Sequence, residues 1–304
     1  MSVVVAVVGP TAVGKSKLGM LLARTLNGEI ISADSRQVYC YMDIGTAKPT
    51  AEERSAVPHH LIDVVDPDED FSVAVYQSLA MDAIGQVMRR GRLPVVVGGS
   101  GLYVWSLVEG WEIPGVEPDA VFRKRLEERA AAEGGKALYH ELESVDPETA
   151  ASIDPRNVRR VIRALEINHT NRGVGPPSRR KRQPSFETVI VGLTAGRRRL
   201  YQMIDGRVDR MVEQGLVEEV KALLARGYGP DLPSMSSVGY KEICQFIGGR
   251  MDLAAAMQRI KFETHRFARH QYAWFHLNDP RIHWFDVDNQ SEAEVVEMVG
   301  GLLR

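Results

Sequence analysis

The sequence predicts an α/β fold, a parallel sheet buried on both faces, interrupted by an all-helical insertion. Three observations predict it. A glycine-rich loop, Gly9–Ser16, follows the apolar run Val3–Val8 and precedes a stretch that can be helical, Lys17–Leu26. Further continuous apolar runs alternate with helical stretches, as strands covered on both faces require. Between Pro114 and about Pro184 the composition turns to Arg, Glu and Ala, with helical periodicity and few β-branched runs.

The first strand, Val3–Val8, runs into Gly9-Pro10-Thr11-Ala12-Val13-Gly14-Lys15-Ser16, a full G-x-x-x-x-G-K-S/T loop. In the order strand, loop, helix this pattern is a phosphate site and defines a P-loop NTPase-like core. The glycines let successive backbone N–H groups point at an oxyanion, and the positive end of the next helix adds to the attraction. Lys15 would pair with terminal phosphates and Ser16 would ligate Mg²⁺. The loop alone leaves open whether the phosphates belong to a nucleotide.

The remaining strands are expected at Glu29–Ser32, Leu93–Val97, Thr188–Leu193 and Ile282–Val287. A helix is expected over Phe71–Arg90, with Ser72 as its N-cap. The insertion reads as three helices, Glu117–Glu133, Lys136–Val145 and Pro155–Asn171, ending in the loop residues Gly173–Ser178. Beyond Gly196 come one or two helices in Gln202–Arg226 and a long one over Asp252–Leu277. The expected division is therefore a catalytic core at 1–113 and 185–304 and a helical insertion at 114–184.

Composition narrows the function. The 304 residues are 44% hydrophobic, ordinary for a soluble globular protein. No apolar run nears the ~20 residues of a membrane span. Val3–Val8 lacks the flanks of a signal peptide. Cys40 and Cys244 make no disulfide framework or zinc site by themselves, which suits a reducing cytoplasm. The net charge of -2 is uneven: Asp154–Arg182 holds eight Arg and one Lys against two acids, a net +7, leaving −9 elsewhere. Such a cluster suits a polyanion partner or a solvated helix face.

Ligands of open α/β sheets sit beyond the carboxyl ends of the strands. There the phosphate loop meets Ser32–Tyr39, which ends the second run, and Gly98–Tyr103, which ends the third. Asp34 and Ser100 are thus expected near the phosphates. A motor-like ATPase needs an acid closing an apolar strand, but Leu93–Val97 closes in Gly-Gly-Ser. Asp34 remains as a base or metal partner, or as a turn residue. His59 and His60 would point to opposite faces of a strand and read as structural, while Trp274, Phe275, Trp284 and Phe285 read as core.

Nearly the whole chain, Val3 to Asp288, resembles the tRNA dimethylallyltransferases (tRNA isopentenyltransferases). The segments carrying the resemblance are Gly9–Ser16, I-S-A-D-S-R-Q-V-Y at Ile31–Tyr39, D-I-G-T-A-K-P at Asp43–Pro49, P-H-H-L-I-D at Pro58–Asp63 and Phe71–Tyr76. Gly98–Tyr103, R-A-L-E at Arg163–Glu166, Met211–Val220 and S-V-G-Y-K-E at Ser237–Glu242 add to it. The resemblance implies transfer of a dimethylallyl group from dimethylallyl diphosphate to N6 of the adenine just 3′ of the tRNA anticodon. It implies that the loop cradles this diphosphate, with Lys15, Arg207 and Mg²⁺ on Ser16 stabilising the leaving group. Asp34 would accept the proton of the amine, with Ser100 beside it where the family usually has Thr. Ser35, Arg36 and Gln37 would hold the flipped base. Arg123, Arg159, Arg160 and Arg163 of the insertion would grip the anticodon stem-loop. The segment Arg269–Phe275 follows the family pattern only in part, and no role is assigned to it. A cytoplasmic monomer is expected. The alternatives are a small-molecule phosphotransferase, a prenyltransferase acting on free adenine nucleotides, and a non-catalytic RNA-binding module.

Overall fold

The structure is a computed structural model that describes residues 2–113, 116, 119–170 and 183–303. The expected loop Gly173–Ser178 and the basic residues Arg172, Arg179, Arg180, Lys181 and Arg182 lie outside the described residues.

The chain divides into two compact units, Met1–Gly110 with Gln183–Arg304, and Trp111–Arg182. The first unit opens with β1 (Val3–Val8), α1 (Lys15–Thr25), β2 (Gly28–Ser32), α2 (Ala51–Ala56), β3 (His59–His60), α3 (Val73–Arg89), β4 (Leu93–Val97) and α4 (Gly101–Val108). The second holds α5 (Ala120–Glu133), α6 (Gly135–Val145), α7 (Pro147–Ala151) and α8 (Val158–Thr170). The first resumes with β5 (Glu187–Thr194), α9 (Arg197–Glu213), α10 (Leu216–Ala225), α11 (Tyr240–Ile247), α12 (Leu253–Gln271), β6 (Ile282–Asp286) and α13 (Glu292–Leu302).

The six strands form one sheet in the order β3-β2-β4-β1-β5-β6, with every pair parallel. The apolar runs explain the centre: Val4–Val8 and Val95–Val97 are buried, and Val5, Val7, Val95 and Val97 share one cluster with Leu18 and Leu22 of α1 and Ile204 of α9. Register sets up the site. Val7 pairs with Val97, and Val97 with Ser32, so the ends of β1, β4 and β2 lie on one line. The three loops singled out from the sequence leave from that line.

The sheet includes β3, the short strand expected at His59 and His60, and both histidines are partnered. His59 Nδ1 meets the Val57 carbonyl at 2.8 Å, and His60 Nε2 meets the buried Glu29 at 2.7 Å. The long helix α12 stops at Gln271 rather than Leu277 because Trp274 and Phe275 turn back, both donating N–H bonds to the Gln271 carbonyl. Phe275 is then fully buried. The two helices after β5 part at Gly215, whose φ of 103° suits glycine. Ser72 caps α3 as expected, accepting the Val75 N–H.

A second apolar cluster in the first unit joins Val38, Met42, Val208, Met211, Tyr240 and Ile260, tying the loop after β2 to α9, α11 and α12. The helical unit has its own core around Leu126, Leu138, Leu142, Val161 and Leu165.

Candidate active site

The phosphate loop keeps its shape through glycine. Gly9 has φ 134°, and a Cβ there would lie 2.3 Å from the Leu193 carbonyl oxygen of β5. No other residue fits this approach. The loop ends at Gly14, in the left-handed region, and α1 begins at Lys15. The Lys15 ammonium donates back to the Pro10 carbonyl at 2.7 Å. Burial pushes its pKa down to about 7; the charge of Arg207 pushes the same way and Asp34 opposes both. Arg207, on α9, donates to Thr11 Oγ1 at 3.3 Å. Two cations from distant parts of the chain thus meet at the loop, where an anion would relieve their mutual cost.

Asp34 follows β2 and shapes a tight turn, its Oδ1 accepting the Arg36 N–H at 2.8 Å. Ser100, before α4, joins this turn to the third loop: its Oγ accepts the Ser35 N–H at 3.0 Å and contacts Ser35 Oγ at 3.3 Å. Asp34 therefore has a turn role as well as a position facing two cavities. One cavity, of about 270 Å³, is lined by Thr11, Asp34, Ser35, Arg36, Ser100 and Arg207, among others. The other, of about 70 Å³, is lined by Lys15, Ser16, Asp34, Gln37 and Arg207, among others. Asp34 and Arg207 border both.

Gln37 lies on the smaller cavity, and its amide is spent on the chain. Its Oε1 accepts from Ser32 Oγ at 2.9 Å, and its Nε2 donates to the carbonyls of Thr46 and Ala47 at 3.3 and 3.2 Å. Ser35 and Arg36 line the larger cavity instead. Ser16 exposes its side chain on the first turn of α1. Among the described residues no group of three or more His, Cys, Asp or Glu could hold a metal ion. A divalent cation beside Ser16 would need oxygens from its own ligand.

In the helical unit the predicted arginines divide. Arg123 forms a two-pronged pair with Glu166, both contacts at 2.9 Å, and Arg163 reaches the same carboxylate at 2.5 Å. Arg163 also donates to the Val116 carbonyl at 2.9 Å. These bonds brace α5 against α8. Arg159 and Arg160 are exposed.

The model of the IPP transferase family matches residues 37–278. The chain belongs to the IPP transferase family. It is 51% identical to the tRNA dimethylallyltransferase of Thermomicrobium roseum over 93% of this chain and 86% of the relative. Against the tRNA dimethylallyltransferase of a Roseiflexus species it is 53% identical, over 89% of each. The full-length tRNA isopentenylpyrophosphate transferase of Bacillus halodurans superposes with a TM-score of 0.73 at 44% identity, covering 99% of this chain and 96% of that one. A eukaryotic dimethylallyltransferase acting on tRNA gives 0.82 at 26% identity, covering 100% and 80%.

In this IPP transferase the sequence left two site residues unremarked. Gln271, at the end of α12 and 4% exposed, accepts the Thr11 N–H at 2.7 Å through Oε1 and donates to the Gly99 carbonyl at 3.0 Å through Nε2. It sits within Arg269–Phe275, to which no role had been given. The glutamine of that pattern was the available signal. Glu219, on α10, accepts the N–H groups of Asp43, Ile44 and Gly45 at 2.8, 2.7 and 3.1 Å, and the Tyr240 hydroxyl at 2.6 Å. It fixes the loop whose next residue, Thr46, lines both cavities.

Proposed function

We propose that this IPP transferase moves a dimethylallyl group from dimethylallyl diphosphate to N6 of the adenine just 3′ of the anticodon in tRNA. What supports the reading most is that Asp34 and Arg207 border both cavities. A donor held at Lys15 and Ser16 and an acceptor in the larger cavity would meet across these two side chains. The adenine would have to leave its stack to reach Asp34.

In this reading the phosphate-loop N–H groups bind and orient the diphosphate, and Lys15 and Arg207 stabilise the charge that grows as it leaves. Asp34 accepts the proton released when the exocyclic nitrogen bonds to the allylic carbon. Mg²⁺ held by Ser16 and the donor's own oxygens would supply further positive charge to the leaving group. Ser100, through Ser35, keeps the Asp34 turn in place. Exposed Arg159 and Arg160 would take phosphates of the stem, positioning the RNA without reading its sequence.

The test is incubation of the protein with labelled dimethylallyl diphosphate, Mg²⁺ and unmodified tRNA carrying adenine 3′ of the anticodon. Label in the RNA is expected. Turnover of ATP with no label in RNA would instead select a phosphotransferase, and label in free adenine nucleotides alone would select the nucleotide prenyltransferase. Affinity for tRNA should fall steeply with salt, as neutralised phosphates require.

A further inference from the structure

One face of α12 lines the larger cavity. Ile260, Thr264, Phe267 and Gln271 recur at spacings of four, three and four, so they share one side of the helix, and all four border the cavity with Asp34. Three are expected there on packing grounds. Phe267 is not: its ring borders the cavity and is still 47% exposed. Val238, also exposed, borders the same cavity.

A single exposed apolar side chain is ordinary. Its neighbours make this one informative. Arg259, Arg266 and His270 lie exposed along the adjacent side of α12, with the half-buried Glu263 between the two arginines. The ion-pair partner of Arg266 is Glu263, on the same helix, at 3.8 Å. A half-exposed aromatic residue at a cavity rim beside two exposed arginines matches the chemistry of an unpaired nucleotide. A base stacks on the ring while its phosphates meet the cations. An apolar protein partner would make no use of the cations.

We propose that Phe267 stacks on the nucleobase next to the adenine that enters the Asp34 cavity, with Arg259 and Arg266 against the flanking phosphates. The site rests on the transfer reading given above. The deep end of the cavity belongs to the base that reacts; the rim belongs to its neighbour in the RNA chain. Stacking there holds the neighbour apart from the extruded adenine and keeps the loop open.

The experiment uses the full chain and an anticodon stem-loop RNA with 2-aminopurine placed in turn on the 5′ and the 3′ side of the target adenine. With wild-type protein the fluorescence of one of the two is expected to be quenched on binding. Phe267→Leu keeps apolar bulk and removes the ring. It should abolish the quench and raise the RNA KM by about tenfold, with kcat changed less than about threefold. Phe267→Trp should restore both. No quench at either position with wild-type protein, or a Phe267→Leu variant with wild-type quench and KM, overturns the proposal. The two readings fail separately: absence of prenyl transfer by the wild type removes the function, while the quench still decides whether Phe267 stacks.

Discussion

Gln271 binds Thr11 across 260 positions of sequence: a buried amide at the end of α12 accepts an N–H of the phosphate loop at 2.7 Å. Its other end donates to the Gly99 carbonyl, so one side chain sets the spacing between the loops after β1 and β4. Gln271→Ala strands both backbone groups. It should cost about 1–3 kcal/mol of stability and raise the KM for the diphosphate donor several-fold. Denaturant unfolding beside donor titration checks both, and a donor KM unchanged from wild type would remove Gln271 from the site.

Asp34→Asn keeps an oxygen for the Arg36 N–H, so the turn should survive. What is lost is a carboxylate able to take a proton. Transfer should slow by ~10²-fold or more while tRNA binding stays within about threefold. Single-turnover transfer and equilibrium binding separate the two effects. Wild-type turnover in the variant would mean that the proton leaves by another route.

Lys15 gives a pH dependence. In the ligand-free protein its ammonium discharges near pH 7 through burial, reinforced by Arg207. A bound diphosphate favours the charged form, so above about pH 7 binding should take up a proton at Lys15, and well below it should not. Calorimetry of diphosphate binding near pH 6 and near pH 8.5, in two buffers of different ionisation enthalpy, reads that uptake. Lys15→Arg, charged throughout, corrects for protons carried by diphosphate itself. The ligand-free protein should also gain stability as pH rises from about 7 towards 10.5, because only the unfolded chain holds this proton there.

Glu166 should act as the keystone of the helical unit. Burial raises its pKa, but the hydrogen bonds from Arg123, Arg163 and the Asp119 N–H outweigh that and hold it below the usual carboxylate value. Its contribution is therefore present above the ordinary Glu pKa and lost as pH falls through the lowered one. Both arginines are about a third exposed, so water replaces part of what Glu166→Gln removes, leaving a cost of about 1–2 kcal/mol. Faster hydrogen exchange in α8 is the readout. Exchange equal to wild type would show that α5 and α8 hold together without this carboxylate.

The long buried strands were legible because their residues have one thing to do. Val3–Val8 and Leu93–Val97 are apolar throughout and sit at the centre of the sheet. The loops after β1, β2 and β4 were legible because glycine, Lys15 and Asp34 carry chemistry that bland turns lack. β3 was legible only as a histidine pair, because two polar residues make no apolar run. Gln271 was hidden: a lone amide near the end of an amphipathic helix looks like surface, and only the tertiary fold brings Thr11 to it. Glu166 was half visible. Its spacing to Arg163 is an i,i+3 pair, but its second arginine comes from α5. Local pattern reports what an element needs from its own neighbours, and these residues serve elements far along the chain.

In the first unit the backbone N–H groups of Asp43, Ile44 and Gly45 curl around an anion, and that nest is filled from within by the Glu219 carboxylate of α10. A nest whose guest is tethered to the same chain never empties to the solvent. Phosphate or sulfate added to the buffer finds that nest taken, so inhibition by simple anions should report competition at the Gly9–Ser16 loop, the proposed seat of the donor.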